Sequence, residues 1–318
     1  MAISHVALVS QTDRVQLNQL VVAAAAIQKQ IIRDFKPIWN IDATFNAFGS
    51  LNDVPLGYWA VVIKDSIPFP GAGGIHLNAQ NGQPFALIRY SENWSLTVAH
   101  EVLEMLADPF GRRIIAAQSV KQGQGRVEYL VEVCDPCEAP AYAYTVNGVL
   151  VSDFYTPQFF DPVTSSVRYS FTGAIKRPLQ VLEGGYLSWR EPVTNHLWQL
   201  FVQGGQKKFI DRGAATADQA ALRELADRYS GEFRSKVMEE GIPSETKPAL
   251  MTALASTAAS GTLYDEPTNA HAEALQAQID AIMAGGGDAS TRIARTALGE
   301  RINAEGTRGG RKRTTRGR

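Results

Sequence analysis

One short segment, residues 97–108, places the strongest constraint on how this chain can fold. Its sequence is Thr-Val-Ala-His-Glu-Val-Leu-Glu-Met-Leu-Ala-Asp, and its polar residues recur at steps of three and four. Side chains at these steps share one face of a helix, so the spacing predicts a helix with a narrow polar stripe. Apolar residues cover its other faces, and we therefore expect most of the helix to be buried. The residues of the polar stripe are Thr97, His100, Glu101, Glu104 and Asp108.

The polar stripe carries an unusual set of charges for a buried helix. It combines an imidazole with three carboxylates, and it contains no Lys or Arg. Neighbouring acids repel one another and alter each other's proton affinity. A bound cation is the simplest way to stabilise such a stripe.

The composition is that of a globular protein with one sizeable domain and additional segments. The chain has 318 residues, of which 45% are hydrophobic, and a formal net charge of −1. Cys134 and Cys137 are the only cysteines, which excludes a disulfide framework. The N-terminus lacks the pattern of a signal peptide, and no apolar run is long enough to span a membrane. These features predict a soluble, cytoplasmic protein without a membrane partner.

Helix and strand patterns indicate an α+β order of elements. Residues 15–39 form the first predicted helix, ended by Pro37, and the stripe helix is predicted to begin near Ser95 and to end by Asp108. Between these helices, strand-like segments lie at 43–48, 58–63, 74–77 and 84–90. After the stripe helix, further strand-like segments lie at 127–134, 142–146, 149–154, 167–170 and 185–189.

The C-terminal third differs in composition from the rest of the chain. We predict a metal-binding domain over residues 1–212 and a helical extension with linkers over 213–305, including helices at 219–239 and near 266–283. Residues 306–318 are predicted to form a disordered basic tail, because the last eleven residues carry six basic groups and no acid. This tail suits a polyanion without sequence specificity, and its alternatives are a solubility tail or an arm that docks on an assembly partner.

The motif at the start of the polar stripe resembles a known catalytic signature. Residues 100–104 read His-Glu-Val-Leu-Glu, which is similar to the His-Glu-x-x-His signature of the zincin metallopeptidases. In that family two helix residues one turn apart bind the metal, and the glutamate beside the first acts as general base on water. The resemblance implies that His100 and Glu104 are metal ligands and that Glu101 is the base.

The order of elements around this motif also resembles the zincin layout, particularly that of the metzincin branch. A long N-terminal helix, several strands and then an active-site helix cover about residues 15–111. Residues 73–90 lie where that branch places an edge strand that pairs with an extended peptide substrate. The resemblance therefore implies an α+β, zincin-like mixed sheet with a central active-site helix, followed by the helical, partly disordered extension.

The chain departs from the zincin pattern at the second and third ligands. Glu104 stands where the second histidine is expected, and Ala107 and Phe110 stand where the metzincin continuation has a glycine and a third ligand. Asp108 is the nearest candidate third ligand, although eight residues along a straight helix span about 12 Å. A set of donors rich in carboxylates also shifts the metal preference from zinc towards calcium or manganese.

A second group of acids and thiols follows a strand-like segment. Residues 132–138 read Glu-Val-Cys-Asp-Pro-Cys-Glu. Glu132 or Asp135 could complete the metal site from this separate element. The alternatives are half of a Cys-x-x-Cys zinc site, a redox pair, or a strand end with buried thiols and a proline turn. Outside this group, we expect His76 to be structural, and nothing in the sequence selects Tyr155 or Tyr186 as an oxyanion donor.

Two functions from different classes fit these patterns. The first is a metal-dependent hydrolase, a metallopeptidase acting on a peptide or protein, with zinc as the preferred divalent ion and calcium or manganese as alternatives. The second is a non-catalytic, zincin-derived structural or binding protein, for example a component of a virion or a larger assembly, with or without a structural metal ion. The replacement of the second histidine by Glu104 is the main support for this alternative.

Overall fold

The structure is a computed structural model that describes residues 3–69, 71–79, 81–215, 222–227, 229 and 266–285. Helices combine there with one mixed and one antiparallel sheet, which confirms the α+β class. The predicted basic tail and most of the predicted extension lie outside the described residues. Within them, no helix is long and apolar enough to cross a membrane.

The first sheet is mixed and has five strands in the order β2-β1-β3-β5-β4. Strand β4 is antiparallel to β5 and lies at the edge, whereas the other neighbours in the sheet are parallel. The parallel strands read as nearly continuous apolar runs because helices cover both faces of the sheet. The strands are β1 (Ser4–Ser10), β2 (Ala43–Ala47), β3 (Trp59–Lys64), β4 (Gly74–Asn78) and β5 (Pro84–Arg89).

The second sheet is antiparallel and also has five strands, in the order β12-β11-β10-β7-β6. A separate hairpin joins β8 to β9 through Asn147 and Gly148, which both adopt positive φ. The strands are β6 (Ile114–Gln118), β7 (Arg126–Leu130), β8 (Tyr144–Val146), β9 (Val149–Val151), β10 (Tyr186–Glu191), β11 (His196–Gln203) and β12 (Gln206–Ala214).

The first helical segment continues past the proline that we expected to end it. Helix α1 (Leu17–Gln30) leads through a π-helical turn (Ile31–Phe35) into α2 (Lys36–Trp39). Pro37 lies in the first turn of α2, where its missing N–H is tolerated. The segment instead ends where Asn40 adopts a left-handed conformation with φ 54°. The prediction that Pro37 ends the helix was therefore wrong.

The stripe helix forms as predicted and is the most deeply buried helix near the site. Helix α3 (Trp94–Ala107) is buried from residue 96 to its end, including the polar stripe. It contacts β4 and β5 on one side and the β8–β9 hairpin on another. The acids of the stripe therefore face protein on all sides, and they do not form a solvated surface.

Sequence patterns missed several strands and predicted one segment wrongly. Strand β1 precedes the first helix and was not predicted, because residues 6–9 are buried on both faces and show no alternation. Strands β6, β11 and β12 were also missed. The segment 167–170 forms no strand beyond an isolated bridge between Ser170 and Tyr155.

The predicted helix near 266–283 is confirmed and covers the second face of the first sheet. Helix α4 (Glu266–Gly285) buries an apolar stripe against Val9, Val62 and neighbouring residues of the sheet. Its buried apolar residues are Ala272, Leu275, Ile279 and Ile282. The two faces of the sheet therefore pack against α1 and α3 on one side and α4 on the other.

We expect Ile279→Ala to destabilise the protein, because Ile279 is fully buried between α4 and the sheet. The substitution removes all of the buried side chain beyond Cβ, and it should lower the free energy of unfolding by about 2–5 kcal/mol. Glu273→Ala, at an exposed position of the same helix, is the matched control and should leave it within about 0.5 kcal/mol. Urea denaturation measures both, and equal stability of the two variants would show that α4 does not pack on the sheet.

Candidate metal centre

The polar stripe of α3 packs against the acidic segment that follows β7. Every residue of 131–140 is buried. The backbone N–H of Cys134 donates to Oε1 of Glu104 at 3.0 Å, and the Cys134 thiol donates to the carbonyl of His100 at 3.7 Å. These contacts hold the second segment across the face of α3 that carries the imidazole and the acids.

His100, Glu104 and Asp135 converge at this junction. Nε2 of His100 lies 3.2 Å from Oε2 of Glu104 and 3.3 Å from Oδ1 of Asp135. Donors at about 2.0–2.1 Å from a tetrahedral ion are about 3.3–3.4 Å apart, so the separation of His100 from each acid, taken pair by pair, fits a shared ion. The structure thus brings together the two predicted helix ligands and one of the candidate third ligands.

Glu101 lies beside this group, and residues of strand β4 contact its side chain. Burial, followed by the charge of Arg223, lowers the pKa of His76, so its ring is neutral near pH 7. Nδ1 of His76 lies 3.1 Å from Oε2 of Glu101, and the neutral ring can donate its Nδ1–H to that carboxylate. Gly74, two residues earlier on the same face of β4, leaves room for Glu101, because a Cβ there would approach its Oε1 to 2.7 Å.

Glu132 occupies the space between His76 and a buried arginine. One carboxylate oxygen lies 4.0 Å from Nε2 of His76, and the other lies 4.0 Å from Nε of Arg223. Neither oxygen has a hydrogen-bond partner among the described residues. Burial, followed by the charge of Glu104, raises the pKa of Glu132 well above its usual range. Glu132 is therefore poorly compensated as an anion in the metal-free protein.

The structure does not bring Asp108 to the candidate ligands. Both of its carboxylate oxygens accept backbone N–H groups of the following turn, from Arg112 at 3.0 Å and Arg113 at 2.9 Å. Helix α3 ends at Ala107, one turn beyond Glu104, so Asp108 caps the exit of the helix. The physical reason is the rise of the helix, which separates Asp108 from His100 by about 12 Å.

The described part of the chain contains four overlapping groups of three residues, and within each group the ligand atoms lie no more than 4.8 Å apart. Glu104 belongs to three of the groups, and all members are buried. The groups are His100, Glu104 and Cys134; His76, Glu101 and Glu104; His100, Asp135 and Glu138; and Glu104, Glu132 and Asp135. Their shared members make one continuous centre that extends from His100 to His76.

The two cysteines are free and buried in the short turn at Asp135–Cys137. Burial raises the pKa of both thiols well above their usual range. Such thiols are poor nucleophiles and poor redox groups, since the thiolate is the reactive form. Of the alternatives for this motif, a strand end with buried thiols and a proline turn fits best. Cys134 also lies near His100 and Glu104.

Sequence patterns missed three residues of the centre. His76 was expected to be structural, although its position two residues after Gly74 on one strand face was a weak signal. Arg223 donates to the carbonyls of Asp108 and His76, each at 3.0 Å, from a segment far along the chain. The hydroxyl of Tyr155 is buried without a partner among the described residues, and burial, followed by the charge of Glu132, raises its pKa.

Comparisons of the chain with protein-family models, curated proteins and solved structures find no match.

We expect Gly74→Ala to disturb the centre, because the new Cβ would lie 2.7 Å from Glu101 and 2.9 Å from Thr97. Either β4 or Glu101 must move, and the free energy of unfolding should fall by about 1–3 kcal/mol. Gly125→Ala is the matched control, because a Cβ there meets nothing within 4 Å. Thermal or urea unfolding measures the difference, and equal stabilities would contradict the close approach of β4 to α3.

Proposed function

We propose that this protein is a metal-dependent hydrolase of the metallopeptidase class, with its metal held by His100, Glu104 and Asp135. The observation that carries the proposal is the position of Nε2 of His100, 3.2 Å and 3.3 Å from one oxygen of each acid. An imidazole among the donors favours zinc over calcium or magnesium, which prefer oxygen ligands alone.

Glu101 supports a catalytic role for this centre. Its carboxylate shares a group with Glu104, so it lies next to the proposed metal position without being needed as a ligand. A divalent ion there would supply Lewis-acid activation of a water molecule. Glu101 would take the proton of that water, and the hydrogen bond from His76 would hold its carboxylate in place.

The edge strand supports a peptide as the substrate. In the described part of the chain β4 pairs with β5 alone and so lies at an edge of the sheet, where an extended peptide could add if Arg223, which binds the carbonyl of His76, moved aside. Gly74 of β4 lies against the side chain of Glu101. A peptide added along β4 would therefore pass close to the proposed base.

A second candidate function is favoured by the burial of the donors. His100 is 3% exposed, Glu104 2% and Asp135 2%. An ion held by them is shielded from a macromolecular substrate unless the surrounding segments move. This observation suits a non-catalytic structural or binding protein whose fold is stabilised by the ion.

Metal content tests both candidates. We expect protein purified without chelators to retain at least one equivalent of a divalent ion, and Asp135→Asn to lower its affinity by at least tenfold, because the charged ligand is lost. Asp13→Asn, at an exposed position, is the control and should bind the ion as the parent does. Elemental analysis and zinc titration give the result, and a parent protein that neither retains nor takes up an ion would exclude the hydrolase and an ion-stabilised fold, leaving a structural or binding protein without an ion.

Glu101→Gln separates the two candidates. If Glu101 is the base, this variant should retain the ion and lose cleavage of unstructured peptides by about 10²–10⁴-fold. Glu92→Gln, at an exposed position beside α3, should cleave as the parent does.

Mass spectrometry of the peptide products measures this cleavage. Full activity of Glu101→Gln would exclude Glu101 as the base. A parent protein that binds the ion but cleaves no peptide would favour the non-catalytic candidate.

A further inference from the structure

Two polar side chains of the centre remain unused by the proposed metal site. Nε2 of His76 and both carboxylate oxygens of Glu132 are buried and have no hydrogen-bond partner among the described residues. His76 is 1% exposed and Glu132 is 4% exposed, so solvent does not satisfy them. Buried polar atoms without partners are costly, and Oε2 of Glu132 lies 4.0 Å from Nε2 of His76.

We propose that His76 and Glu132 form a second divalent-cation site that shares Glu104 with the first, so that the centre holds two metal ions. This proposal rests on the proposed function only through the shared Glu104. The two sites can therefore be tested, and can fail, separately.

The separation of the two donors fits one ion between them. A zinc ion binds nitrogen and oxygen donors at about 2.0–2.2 Å, so two donors of one ion lie no more than about 4.4 Å apart. Nε2 of His76 and Oε2 of Glu132 meet this limit at 4.0 Å. Glu104 would supply the third donor: it lies within 4.8 Å of a ring nitrogen of His76 in one group and of a carboxylate oxygen of Glu132 in another, so its side chain would have to move closer to bind the same ion.

The hydrogen bond of His76 presents the correct nitrogen to this ion. With Nδ1–H donated to Glu101, Nε2 carries a lone pair and is directed at Glu132. Histidine ligands in metal sites commonly donate their other ring N–H to a carboxylate, which fixes the ring and the tautomer. Among the described residues this bond reaches Glu101 at Oε2, and Oε1 would be the oxygen that acts on water in the first site.

The charge of the centre also favours two ions. Its grouped carboxylates belong to Glu101, Glu104, Glu132, Asp135 and Glu138. Against these five carboxylates, Arg223 is the buried cation that faces Glu132. Among the described residues, full ionisation of these groups would leave four excess negative charges, of which one divalent ion would offset half. Excess buried charge of one sign is strongly unfavourable.

Arg223 defines the far side of the second site. Its Nη1 and Nη2 groups are bound to the carbonyls of Asp108 and His76, and its Nε lies beside the oxygen of Glu132 that faces away from His76. The arginine can therefore pair with one oxygen of Glu132 while the other binds an ion. Two-metal hydrolytic sites hold their ions about 3.5–4 Å apart, which suits two sites joined by one carboxylate.

Counting zinc ions in the full chain tests the second site. The protein is stripped with a chelator and titrated with Zn²⁺, and the bound ions are counted by native mass spectrometry and calorimetry. We expect two ions in the parent, one in His76→Gln and one in Glu132→Gln. His5→Gln, a histidine at an exposed position, is the matched control and should bind two.

Anomalous diffraction from zinc-loaded crystals of the parent makes the test independent of any variant. It should show two peaks, one of them about 2.0–2.2 Å from Nε2 of His76. A parent with a single ion at His100 overturns the second site and leaves the first intact. A parent with no ion overturns both, and two ions in His76→Gln overturn the assignment of His76.

Discussion

The packing of one acidic segment onto another determines the rest of this structure. The polar stripe of α3 and the segment after β7 meet away from solvent, joined by the hydrogen bond from the Cys134 backbone to Glu104. Ion pairs and hydrogen bonds are strong in such surroundings, but charges without partners are very unfavourable. The acids and imidazoles in this part of the core form groups that could hold a metal ion.

The architecture brings these residues together from five separate elements. The mixed sheet presents His76 on its edge strand, α3 contributes the stripe, and the turn after β7 contributes Glu132 and Asp135. The helical segment 222–227 adds Arg223, and the loop after β9 adds Tyr155. A centre assembled from such distant parts of the chain depends on the whole fold, so metal binding and stability should be linked.

Burial and catalysis make opposite demands on this centre. The low exposure of the donors strengthens every interaction with an ion and excludes competing water, but it also restricts access for a substrate. The edge strand β4 lies next to the proposed base and is the element through which a peptide could approach. Whether the protein is an enzyme or a metal-stabilised structural protein therefore depends on the movement of the segments that cover α3.

The sequence by itself determined the stripe helix, the α+β class and the positions of the proposed metal ligands on α3. These features follow from local periodicity, since residues three and four apart on a helix must share a face. The sequence also placed Glu132 and Asp135 among the candidate ligands, but it could not choose between these two and Asp108. Only the tertiary structure shows which of these acids lies near His100, because helical rise moves Asp108 away while the turn after β7 brings Asp135 to 3.3 Å from Nε2 of His100. The roles of His76 and Arg223 were likewise decided by the tertiary structure, because long-range contacts between β4, α3 and residues 222–227 leave no periodic trace in a single chain.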